Sequence, residues 1–384
     1  MDAAAPPAAA AKDRVRVCVR VRPLSGDGET RAVTAAGAKI VLGGTHAGER
    51  SFAFDGVFGE AATQQEVYDK TAASLVARVF DGFNSTIMAY GQTGSGKTHT
   101  MGEPMDALAQ SFSDAGAGVI PRALHEVCAR ARAAGGDDAT VGLSYLEVYQ
   151  EKLYDLLADE DGDGEALGVR EDAAGHVVVP GLTEHAVAAA SDAARLLHRG
   201  ALRRKTGATK MNASSSRSHA LLQVRVRRAS GAVGKLVLVD LAGSERATRT
   251  GAEGARLREG IEINKGLLAL GNVVAALAAN EEDAAAARRH VPFRDSKLTR
   301  LLRDSLGGTA ATWVVACVSP RASDAEETAN TLRYASRARA VANVRVRHAV
   351  SETPEQQLIA ALRRENADLK ARLRGGGAAA TGGA

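Results

Sequence analysis

Cysteine is almost absent. Only Cys18, Cys128 and Cys317 occur in 384 residues, far apart and without CxxC spacing. That excludes a disulfide scaffold and argues against a zinc site. Long apolar runs are missing too. The longest nearly apolar stretch, LLALGNVVAALAA (267–279), has 13 residues and a Gly-Asn pair inside it, whereas a membrane-spanning helix needs about 20. No membrane span is expected. Neither sign of charge dominates: 49 Lys and Arg against 45 Asp and Glu leave a net charge of +4. This excludes a strongly cationic nucleic-acid-coating protein and allows a local basic face. The start, MDAAAPPAAAAKD, lacks a basic n-region and a strongly apolar core, so it does not read as a secretory signal. No internal repeat is visible. What is plentiful is core material: 45% of residues are hydrophobic and 24% charged, as in a globular protein. The length suits one large domain or two ordinary ones. A soluble, intracellular protein is the expectation.

The pattern along the chain mixes strands and helices. Residues 1–12, rich in Ala and Pro, read as a disordered lead-in. RVRVCVRVRP, ending at Pro23, alternates apolar and basic residues as a strand does. FAFDGVF (52–58) reads as a second strand, and QQEVYDKTAASLVARVF (64–80) as a helix stopped by Gly82. STIMAY (85–90), KLVLVDLAG (235–243) and TWVVACVSP (312–320) are short apolar runs of the sort a fully buried strand shows. LSYLEVYQEKLYDLL begins like a strand and ends like a helical turn, and 298–306 has helical spacing. Such mixing predicts an α/β domain around a central sheet. After residue 350 the composition changes to a polar helical segment with a heptad seam of Ile359, Leu362, Asn366, Leu369 and Leu373. Two heptads are marginal for dimerisation, so a solvated terminal helix is an equal reading. A flexible Gly/Ala tail, 375–384, closes the chain.

GQTGSGKT (91–98) fits the phosphate-loop pattern GxxxxGK[ST]. Gly91, Gln92, Thr93, Gly94, Ser95 and Gly96 supply inward-turned N–H groups, Lys97 a point charge and Thr98 a hydroxyl for Mg²⁺. The loop follows a strand, and HTM after it opens a helix whose N-terminus favours anions. Asp240, at the end of the KLVLVD strand, is placed to hold Mg²⁺-bound water; the plainer alternative is a turn cap. Gly243 offers an N–H that a γ-phosphate can approach without a side chain in the way. NASSSRSH (212–219) adds hydroxyls, an amide and a cation, and on its own would read as a polar loop.

Together these blocks resemble the kinesin motor domain: GQTGSGKTHTM as its phosphate loop, NxxSSRSH and DLAGSE as its two switches, and CVRVRP as its adenine motif. INKGLLALGNVVAAL and HVPFRDSKLTRLLRDSLGG resemble its microtubule-facing elements, and ETANTLRYASRARAVAN the end of its core. The resemblance covers roughly residues 14–350, in the family's order. It implies a P-loop NTPase of kinesin type, a central mixed sheet flanked by helices on both faces, spanning 13–340. A neck linker follows at 341–350 and a neck coiled coil at 351–374. It implies ATP and Mg²⁺ as ligands. Arg20, Pro23 and His99 would hold the adenine, and Thr98, Ser216 and Asp240 the metal. Asn212 and Ser215 would place the lytic water, Arg217 and Glu245 would pair to close the switches, and Gly243 would sense the γ-phosphate. Microtubules are the implied partner, through Arg294, Lys297, Arg300 and Arg303; a solvated helix salt-bridged by Asp295 and Asp304 is the competing reading of those four.

Some positions depart from the family pattern. Gly266 stands where kinesins carry Ser, and His348 where conventional kinesin has a latching Asn. The segment NEEDAAAARR before His290 lacks a lysine cluster. The alanine-rich lead-in is a poor β former, which argues against a cover strand on the docked linker. The function expected is that of an ATP-driven, plus-end-directed microtubule motor of the cytoplasm and cytoskeleton. A homodimer would form through sequence beyond this chain. The alternatives are a microtubule-binding module that does not step, and a depolymerase, which usually carries a basic neck where this chain has alanines.

Overall fold

The computed structural model describes residues 12–349 except 25–28, 44–47, 103–113, 136–137, 159–165, 174, 212–214, 246–254 and 283–288; side chains are not described for 205–215 and 251–263. The lead-in to residue 11, the heptad seam and the tail lie outside these residues.

The alternating N-terminal run forms β2 (Arg16–Val21), preceded by a short strand β1 (Lys12–Arg14). Alternation predicts one wet face, yet all of β2 after Arg16 is buried, because both sheet faces are covered: Cys18 enters one core and Val17, Val19 and Val21 the other. A small antiparallel sheet follows: β3 (Val33–Ala36), β4 (Lys39–Leu42) and β5 (Arg50–Ala53). FAFDGVF is therefore split rather than continuous. Its first half lies in β5 and its second forms β6 (Gly56–Phe58), the edge of the main sheet. Helix α1 (Gln64–Phe80) starts at a reciprocal capping box between Thr63 and Glu66. It buries Val67, Leu75, Val76 and Val79, and Gly82 with φ 87° turns the chain out.

β7 (Ser85–Tyr90) leads through the phosphate loop into α2 (Lys97–Met101), and α3 (Val119–Ala133) follows. β8 (Ala139–Tyr149) and β9 (Lys152–Asp155) form a hairpin where a helical turn was expected. Its two turn residues, Gln150 and Glu151, have φ of 48° and 57°, the left-handed pair of a tight hairpin turn. Then come the short hairpin β10 (Arg170–Glu171) and β11 (Val177–Val178), β12 (His185–Val187) and α4 (Ala190–Met211). β13 (His219–Arg228) and β14 (Val233–Asp240) precede α5 (Ala255–Glu282). The spacing over 298–306 yields only a short helix, α6 (Lys297–Leu301), followed by turns. β15 (Ala311–Val318), α7 (Ala325–Ala338) and β16 (Ala342–Val344) complete the chain.

The main sheet has nine strands, in the order β12-β8-β13-β14-β7-β15-β2-β6 with β9 added on β8. β12, β8, β13 and β14 pair antiparallel, while β14, β7, β15, β2 and β6 run parallel. α1, α3 and α4 pack on one face around Leu75, Leu124 and Leu197. α5, α6 and α7 pack on the other around Leu270, Leu298 and Leu332. Covered on both faces, β15 is buried along its whole length, which is why its sequence reads as continuous apolar residues. No described helix is long and apolar enough to cross a membrane.

Candidate nucleotide site and adjoining basic face

β7 lies between β14 and β15, and its parallel register sets Asp240 of β14 beside Ala89. The loop leaving β7 thus emerges next to the end of β14, at the carboxyl edge of the parallel strands where open α/β sheets bind ligands. The loop hugs the sheet. A Cβ on Gly91 would overlap the carbonyl of Cys317, so only glycine fits there. Lys97 is buried; its Nζ donates to the carbonyls of Gly91 (2.8 Å) and Gln92 (2.9 Å). Burial pushes its pKa down, and Asp240, Cys317 and Glu245 push it back up.

Thr98 Oγ1 donates to Asp240 Oδ2 at 2.9 Å, while Asp240 Oδ1 is buried with no hydrogen-bond partner. A hydroxyl and a carboxylate meeting with one oxygen unspent fit a hard cation such as Mg²⁺. The glycine cradle and Lys97 fit the phosphates it would accompany.

The second switch folds over the loop. Thr93 donates to Glu245 through its N–H (2.8 Å) and its hydroxyl (2.5 Å). Ser244 N–H donates to Gly91 carbonyl at 3.1 Å, and Gly243 N–H to Ser216 carbonyl at 2.9 Å. A Cβ on Gly243 would overlap both the Glu245 carboxylate and Thr93 Oγ1. Both Glu245 oxygens are thus engaged by the phosphate loop. Ser216 and Arg217 sit on the 3₁₀ turn Ser215–Arg217. Asn212 and the Ser215 side chain lie outside the described residues.

His219 contributes in a way the motif alone did not reveal. It is buried, and Ala242 N–H donates to its Nδ1 at 3.0 Å. Desolvation, with Arg204 and Lys97 nearby, lowers its pKa to about 3. The neutral ring therefore ties the first switch to the second.

The adenine side differs in exposure. Pro23 and His99 are exposed, but Arg20 is enclosed. Its guanidinium donates to Gln64 Oε1 (2.8 Å), Thr100 Oγ1 (3.1 Å) and Ala62 carbonyl (3.3 Å). Gln64 in turn donates to the His99 carbonyl at 2.7 Å. Arg20 is thus held beside His99 through Gln64. Arg22, two residues on, reaches the loop, donating to Gly94 carbonyl at 2.5 Å. Period-2 spacing puts both arginines on one face, and only the packing of α1 decides which is enclosed.

The basic residues gather beside α6. Arg294 and Arg303 pair with Glu171 at 3.6 and 3.3 Å. Their partner is thus in the β10–β11 hairpin and is neither Asp295 nor Asp304. Asp304 turns inward, accepting from Asn84 and Thr309. Glu151 caps α6: its carboxylate accepts from Ser296 Oγ and Lys297 N–H, both at 2.8 Å.

The segment after the core is docked. Val341 is fully buried, and Asn343 donates to the carbonyls of Ser305 (2.9 Å) and Ala310 (2.6 Å) and accepts from Gly307 N–H (2.7 Å). β16 pairs antiparallel with β1, Asp13 opposite Asn343. A cover strand therefore does form, over Lys12–Arg14. His348 donates its N–H to Gly82 (2.7 Å) and accepts from Val233 (3.0 Å).

The model of the kinesin motor domain matches residues 20–341 of this chain. The chain belongs to the kinesin family. It is 43% identical over 341 residues to the chromosome-associated kinesin KIF4 of Mus musculus, covering 86% of this chain and 27% of that protein. A solved fast-kinesin structure superposes with TM-score 0.77 at 36% identity, over 89% of this chain and 96% of that one. The KIF14 dimer bound to a microtubule with AMP-PNP also gives 0.77, at 34% identity, over 91% and 100% of the two chains. The fold is the kinesin-type P-loop NTPase, and the family binds nucleotide. This kinesin spans about a quarter of the length of the curated relatives it matches.

Proposed function

We propose that this kinesin hydrolyses ATP with microtubule-stimulated turnover and moves toward the microtubule plus end, acting in the cytoplasm on the microtubule cytoskeleton. The observation that carries the reading is the junction of Lys97, Thr98 and Asp240, with one Asp240 oxygen unspent, under a switch that already touches the loop through Glu245. Gly91–Thr98 wrap the phosphates, and Arg20, Pro23 and His99 frame the base. Thr98, Ser216 and Asp240 hold Mg²⁺, which when bound neutralises charge on the β- and γ-oxygens. Asn212 and Ser215 orient the attacking water. Gly243 turns its N–H from the Ser216 carbonyl toward the γ-phosphate, and Glu245 leaves Thr93 for Arg217, closing the site.

Closure reaches the linker along packed groups. Tyr90, at the end of β7, stacks on Tyr334 of α7 with centroids 3.9 Å apart. α7 leads directly to Val341. Residues 341–350 act as the neck linker, and 351–374 begin a coil that pairs two copies. Arg294, Lys297, Arg300 and Arg303 meet the acidic tubulin surface. A core followed by its linker favours plus-end motion. On a surface coated with this protein, polarity-marked microtubules should glide with the minus end leading; gliding with the plus end leading, or binding without gliding, contradicts the proposal.

A further inference from the structure

Three arginines converge where the β10–β11 hairpin meets the α6 segment. Arg294, Arg300 and Arg303 line a cavity of about 210 Å³ with Glu171, Val177 and Phe293. The single carboxylate among these six residues, Glu171, is shared between Arg294 and Arg303. Arg300 Nε is buried there with no hydrogen-bond partner. The pocket thus holds three cationic side chains against one anionic one. Guanidinium groups present paired N–H donors, which favour a planar, bidentate carboxylate over a diffuse ion.

Glu171 is not a drifting surface group. Register pairs it with Val177, and the loop beyond closes through Asp172 N–H to His176 carbonyl (2.9 Å) and His176 N–H to Asp172 Oδ1 (2.8 Å). The hairpin presents the carboxylate to the same cations that the proposed function assigns to the track.

We propose that this pocket is a carboxylate-exchange site: Glu171 occupies it, and an acidic side chain of the tubulin surface takes its place when the motor binds. Charge complementarity selects that occupant, since three arginines accept a second carboxylate that Glu171 alone does not satisfy. Glu171 then acts as an internal competitor. It keeps Arg294 and Arg303 ordered between encounters and weakens the bound state by the two pairs that must open. The inference rests on the assignment of this face to microtubules.

Cosedimentation with microtubules at two ionic strengths tests it. Exposed ion pairs are individually weak, so Glu171→Gln is expected to bind about two- to tenfold tighter than wild type at low salt, with a smaller gain at high salt. In a background carrying Arg294→Gln and Arg303→Gln the same change should gain nothing, because both cations that Glu171 pairs with are gone. Equal or weaker binding of Glu171→Gln overturns the exchange. So does an equal gain in the doubly substituted background, which would mean that only overall charge matters. Failure of the wild-type chain to bind microtubules at any salt would instead overturn the proposed function.

Discussion

At Gly266, inside α5, a Cβ would meet Glu151 Oε1 at 3.4 Å, Ser296 Oγ at 3.5 Å and His219 Nε2 at 3.7 Å. All three are ordinary contact distances, so the site has room for a side chain. Glycine in a helix interior costs about 0.5–1 kcal/mol relative to alanine. Gly266→Ala should therefore raise the melting temperature by about 1–3 °C in a thermal scan; a lower one would mean that Glu151 or Ser296 cannot give way. Glu245 makes a sharper case, because its carboxylate both holds Thr93 and stands over Gly243. Glu245→Ala should retain ATP binding within a few-fold and lose turnover on the order of 100-fold or more, read by single-turnover phosphate release. Normal turnover would reduce Glu245 to a loop brace. Lys97, Thr98 and Asp240 were legible in the sequence, because loop chemistry fixes their spacing and the parallel register does the rest. Arg20 was not. Whether an arginine on an alternating strand points at a ligand or into the core depends on Gln64 and Thr100, which lie 44 and 80 positions away.

Among the elements, the docked linker carries a titrating group. The His348 ring lies 3.2 Å from Thr309 Oγ1, which bonds Asp304 in turn, and edge-on to His176 at 6.2 Å. Burial lowers its pKa below the ordinary 6.5; His176 and Lys235 act in the same direction and Asp304 opposes them. The docked state therefore prefers the neutral ring. Docking is fully supported above pH about 6.5 and weakens as pH falls through that value, because the undocked ring protonates first. A fluorophore pair spanning linker and core should report undocking between about pH 7 and 5.5, and His348→Asn should flatten the profile. A profile equally steep in that variant would assign the effect to another group. The strands β7, β14 and β15 were readable because burial on both faces leaves a continuous apolar run. The β8–β9 hairpin was not, since Gln150 and Glu151 adopt positive φ without glycine. Glu151 is held there by capping α6, a contact 145 residues away. β1 escaped for a similar reason. Its strand is fastened by Arg78 and Arg345 on Asp13 and by Glu281 on Lys12, all distant in sequence.

Across the whole molecule, a mixed sheet sets the phosphate loop and second switch at one edge, with one helical layer leading to the basic face and the linker. The architecture was legible from the alternation of strand and helix, but the strand order and the pairing of Glu171 with the α6 region arise only from tertiary closure. The central claim is that the site around Lys97 and Asp240 turns over ATP under the control of the track. Steady-state phosphate release, measured while microtubule concentration is raised, tests it most directly. The account predicts a low basal rate that climbs several-fold to saturation with microtubules, and that Lys97→Ala abolishes at every concentration. A rate that microtubules leave unchanged, or one that survives the loss of Lys97, would contradict it.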